Sequence, residues 1–146
     1  MDISSDVTSI ARVIQLSIAP VFLLTAVGAM LGVLSNRLSR AVDRARALEA
    51  RCQGATSDDL AILRNQLSVL NRRIHWIYRA MVLCAVCALL ICSVIVTAFA
   101  STLAGKVLAV PIAILFVAAM LAFIGALLLF VREVHLAITT LRIGPP

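Results

Sequence analysis

The side chains in this chain best suited to chemistry are its arginines. Nine of its 13 basic residues lie between Arg37 and Arg79, and all nine are arginine. A guanidinium stays charged and offers a planar fork of donors matching carboxylate or phosphate, so the pattern points to anion recognition. Arg37, Arg40 and Arg44 on one predicted helix, with Arg72, Arg73 and Arg79 on the next, would gather at one level, with Asp43 as a nearby acid. Two kinds of anion suit such a collar: the phosphates of anionic lipid head groups, or small anions passing a basic vestibule.

Other reactive residues carry less. Cys84-Ala85-Val86-Cys87 has the spacing of a redox or metal pair, yet it lies in apolar sequence with no third ligand and no basic neighbour to lower a thiol pKa. Both thiols read as small packing residues inside a span. His75 and His135 have no metal-binding partner one turn away and read as interfacial. No nucleophile and base, phosphate-binding glycine loop or pair of carboxylates has supporting spacing, so we expect no catalysis, no cofactor and no metal.

The elements that position the arginines follow from composition. With 62% hydrophobic and 14% charged residues and a mean hydropathy of +1.07, the chain has too few polar groups to cover a soluble domain of 146 residues. It reads as an all-α membrane protein with three transmembrane helices. The net charge of +6 is concentrated in one segment instead of spread as in a nucleic-acid binder, so no nucleic-acid partner is expected. The N-terminus MDISSD is acidic and the first apolar segment lacks a cleavage site, so that span is expected to remain.

Ile3, Val7, Ile10 and Ile14 predict an amphipathic interfacial helix over 1–15, with a kink at Pro20 where an N–H is missing. The first span is expected at 18–34. On it Thr25, Gly28, Gly32 and Ser35 form a small-residue face of the kind that lets helices approach closely in lipid. Leu34, Leu38, Ala41, Ala45, Leu48 and Cys52 then recur at four and three, as do Leu60, Leu63, Leu67, Leu70, Ile74 and Ile77. Between them Gly54 reads as a stop and Thr56–Asp59 as a capping box. The spacing predicts an antiparallel coiled-coil hairpin over 36–79, with Leu38 near Ile74, Ala45 near Leu67, Glu49 paired with Arg64, and Arg37 facing Arg73. Spans two and three are expected at 81–100 and 107–131, the last with a small-residue face of Ala118, Ala122, Gly125 and Ala126, followed by a tail over 132–146.

Ile18-Ala19-Pro20, Asn36-Arg37, Asp43-Arg44-Ala45-Arg46 and Asn71-Arg72-Arg73, with one further span behind them, resemble a family of small bacterial membrane proteins known as domain of unknown function 2721. The likeness covers almost the whole chain. It implies a bacterial inner-membrane protein and carries no activity or site residues.

The arginines orient the chain, placing the N-terminus outside and both the hairpin and the C-terminus in the cytoplasm. None of the three expected span cores contains an ionisable residue, which disfavours a proton relay or a coupled transporter. Two readings remain. One is a homo-oligomeric small-ion channel, leaning to anions, with a basic cytoplasmic collar. The other is a non-catalytic scaffold or accessory subunit holding a partner protein through the hairpin.

Overall fold

The computed structural model describes residues 3–54, 57–105 and 108–140, and they form three helices. Helix α1 runs Ile3–Cys52, α2 runs Ser57–Leu103 and α3 runs Ala109–Thr140. Each contains a stretch long and apolar enough to cross a membrane. Lengths of 50 and 47 residues correspond to about 70–75 Å at 1.5 Å per residue, more than twice the ~30 Å of a hydrocarbon core. Both helices therefore extend well beyond any span.

Helix α1 is continuous on both sides of Pro20 and through it, so the expected N-terminal helix and first span belong to one helical element. Pro20 is buried. Met1 and Asp2 lie outside the described residues, as do the side chains of the amphipathic face up to Val13. Helix α1 ends at Cys52, and the Gly54 N–H donates to the Arg51 carbonyl at 3.4 Å without entering the left-handed region. Ala55 and Thr56 of the expected capping box lie outside the described residues. The glycine that does adopt a positive φ is Gly105, at +61°, just past the end of α2. There the Ala104 N–H reaches the Ala100 carbonyl at 2.9 Å and the Ser101 hydroxyl accepts from the Leu108 N–H at 3.3 Å. Helix α2 thus continues three residues past the expected end of its span, and α3 begins two residues later than expected.

Burial follows a seven-residue repeat in all three helices. The buried positions are Pro20, Val27 and Leu34 on α1, Leu70, Ile77, Cys84 and Ile91 with Ala80, Cys87 and Val94 on α2, and Ala119, Ala126 and Glu133 on α3. An apolar stripe of that period keeps a helix in contact with neighbours lying nearly parallel to it. The chain divides into two compact units. One holds residues 1–30 and 83–124, with Val27, Cys84, Cys87, Ile91, Val94 and Ala119 as its core. The other holds residues 31–82 and 125–146, built on Leu34, Leu70, Ile77, Ala80 and Ala126. In this second unit the residues expected to form the hairpin seam, including Leu38, Ala45 and Leu48 on α1 and Leu63, Leu67 and Ile74 on α2, are half-buried, while most of their neighbours are exposed. Glu49 and Arg64 do not pair.

The hydroxyl groups of the apolar segments turn back on their own helices. Thr25, Ser93, Thr97 and Thr102 each donate to the carbonyl four residues earlier, at 2.7–3.2 Å. A hydroxyl without water finds its nearest acceptor in the preceding turn. Cys84 and Cys87 are fully buried free thiols, as packing residues would be.

Of the expected small-residue faces, Thr25, Gly28, Gly32 and Ser35 are all exposed, and a Cβ added at either glycine would meet nothing within 4 Å. Among the described residues, this face therefore packs on nothing. Replacing Gly28 and Gly32 together with alanine is expected to leave the thermal midpoint of the monomer in detergent unchanged or raised, because each glycine costs a helix about 1 kcal/mol relative to alanine. A lowered midpoint would show that the face is occupied. On α3, Ala118, Ala122 and Gly125 are half-buried, and Ala126, which belongs to the same expected face, is fully buried, as is Ala119.

Candidate functional site

The heptad stripes bring three charged residues together. On α1, Arg37 lies one turn past buried Leu34; on α2, Arg73 lies between buried Leu70 and Ile77. On α3, Glu133 lies seven residues past Ala126, so it faces the same way as the alanine and is carried into the contact. Its carboxylate is 2% exposed and accepts one hydrogen bond on each oxygen. Arg37 Nη1 donates to Oε2 at 2.6 Å and Arg73 Nη2 donates to Oε1 at 2.8 Å. The arginine side chains are 31% and 28% exposed, against 2% for that of Glu133.

The arrangement is a clamp across three helices. A buried carboxylate without partners would be strongly disfavoured, and two charge-assisted bonds offset that desolvation. Phe130, one turn before Glu133, places its ring 5.0 Å from the Arg37 guanidinium and covers the ion pair on that side. The clamp is not fully satisfied: Arg73 Nε is buried without a hydrogen-bond partner.

A second cluster adjoins the first. The Trp76 ring has the Arg79 guanidinium 5.4 Å from its centroid and the Arg132 guanidinium 4.7 Å from it. His75 Nδ1 lies 3.0 Å from the Asn71 carbonyl, and Tyr78 is exposed.

Of the six arginines expected to meet lipid phosphate or a free anion, Arg37 and Arg73 are bound to a carboxylate of the protein itself. The two do face one another, with Glu133 bonded to both. Arg40, Arg44, Arg72 and Arg79 are exposed. Sequence reasoning missed Glu133, placing it in the tail that follows the third span. A signal was present, since Glu133 is the sole carboxylate of α3 and continues the seven-residue spacing of Ala119 and Ala126. It also missed Phe130 and Arg132.

Three helices apolar enough to span a membrane, joined at one level by a buried glutamate between two arginines, define a small multi-span helical protein. The chain belongs to the family described as protein of unknown function (DUF2721), whose family model matches residues 17–143. That range contains all three clamp residues and the Trp76 cluster. No curated protein and no solved structure is detectably similar to the chain.

Proposed function

We propose that this protein is a non-catalytic membrane scaffold or accessory subunit, which uses the helical segment on either side of the 53–56 turn as an arm for a partner protein. The observation that carries this reading is the Glu133 clamp. Tying α3 to both strands of the arm holds its base at a fixed angle, as an element positioned to present a surface requires. The same clamp weighs against an anion-selective collar, because two of the six arginines expected to form it already have a carboxylate between them. In this reading the arm lies in the cytoplasm of a bacterium, by the positive-inside rule, and packs as an antiparallel coiled coil. Copies of the chain associate, where they do, through the exposed Gly28 and Gly32 face.

Two experiments test the reading. Cysteines at positions 45 and 67, in a chain lacking its native thiols, should crosslink on oxidation; failure would remove the coiled-coil arm. The reconstituted protein should pass chloride through liposomes no faster than protein-free vesicles. A flux abolished by Arg37→Gln with Arg73→Gln would reject the scaffold and restore the channel.

A further inference from the structure

We propose that Arg79 and Arg132, held against the ring of Trp76, form a binding site for the phosphate of an anionic membrane lipid. Both guanidinium carbons lie within 5.4 Å of one ring centroid, one carried by α2 and the other by α3. Two like charges drawn to one ring repel each other, and in this clamp-bearing unit only Arg37 and Arg73 have Glu133 to offset such repulsion. Among the described residues no carboxylate pairs with Arg79 or Arg132. Cation–π contact fixes a guanidinium through its face and leaves its N–H edge free, which is the edge that donates to phosphate. An anion bridging those edges completes the cluster.

Position selects lipid as the source of the phosphate. Residues 80–103 of α2 and 109–131 of α3 hold no charged side chain, so Arg79 and Arg132 are the first charges met on leaving the apolar stretch of each helix. That is the level of lipid phosphates, where tryptophan and tyrosine also concentrate. Beside the two arginines, Val82, Leu128 and Val131 are exposed and offer an apolar surface to acyl chains. A phosphate bound here would bring its own hydrocarbon into contact with those residues.

Trp76 is the only tryptophan of the chain, so its fluorescence reports this site alone. The full-length protein is reconstituted in vesicles containing a minority of phosphatidylglycerol in phosphatidylcholine, with bromine on the acyl chains of one lipid or the other as a contact quencher. We expect phosphatidylglycerol to quench roughly five-fold more than its mole fraction dictates, or more, as one or two arginines at a membrane surface would produce. Arg79→Gln with Arg132→Gln should return quenching to the mole fraction. Lysine at both positions should retain part of the preference, and Arg64→Gln, on the arm, should retain all of it. Quenching that follows mole fraction in the unaltered chain overturns the proposal, as does a preference that survives both glutamine substitutions. Loss of the preference on adding millimolar sodium phosphate would assign the site to free phosphate and overturn the lipid assignment. Should the double variant fail to fold, Arg132→Gln alone must still lower the preference.

Discussion

Glu133→Gln is expected to lower the stability of the folded chain by about 2–3 kcal/mol, seen as a fall of roughly 5–10 °C in the thermal midpoint in detergent. The reasoning begins with the carboxylate, 2% exposed and bonded to Arg37 and Arg73 at 2.6 and 2.8 Å. Glutamine keeps the shape and one acceptor but removes the charge, leaving two guanidinium groups facing each other with nothing between them to offset their repulsion. Breaking a fully buried ion pair from one side costs about 3–5 kcal/mol; the lower figure here allows for arginine side chains still nearly a third exposed. The same physics makes the reverse experiment informative. Replacing Arg37, Arg73 and Glu133 together with methionine removes all three desolvation costs, and stability should recover to within about 1 kcal/mol of the unaltered chain. A Glu133→Gln midpoint indistinguishable from the parent would mean that the clamp is not formed. A triple variant as unstable as the single one would mean that the charges themselves are required.

Ala126→Leu should cost about 1–3 kcal/mol and weaken the clamp at the same time. Ala126 is fully buried, and as a small residue it lets α3 approach its neighbours closely, two turns before Glu133. A leucine there must push α3 outward, lengthening both bonds to the carboxylate. Leu128, two positions on and 65% exposed, is the control: Leu128→Ala should change the midpoint little. Because Ala126→Leu and Glu133→Gln act on one contact, their combined effect should fall short of the sum by at least about 0.5 kcal/mol. Strict additivity would show that the alanine contact and the ion pair are independent, and would separate the packing of α3 from the clamp.

How much was legible beforehand depends on the range of the interactions. Leu38, Ala45 and Leu48, with Leu63, Leu67 and Ile74, were readable as one periodic stripe because a helix repeats its geometry every few residues, and all six are half-buried. The facing of Arg37 and Arg73 follows from the same periodicity. The carboxylate between them was not legible, because Glu133 lies 96 and 60 residues from its partners and local pattern carries no information across that distance. The arginines consequently looked short of anions when two of them were already paired. Pro20 withholds one backbone bond from a helix that is otherwise continuous over 50 residues.

Read without coordinates, the chain determined its solvent and its elements: long apolar helices with few charged side chains, a small-residue step at Gly28 and Gly32, and an arginine-rich segment between the first two spans. Those are consequences of composition and of helical repeat, which act within a few turns. Only the tertiary structure decided which charges meet. Whether a guanidinium ends on Trp76 or on Glu133 depends on how closely α3 approaches, and Ala126, fully buried on the face that carries Glu133, is small enough to permit that approach. Nothing local to the arginines specifies it.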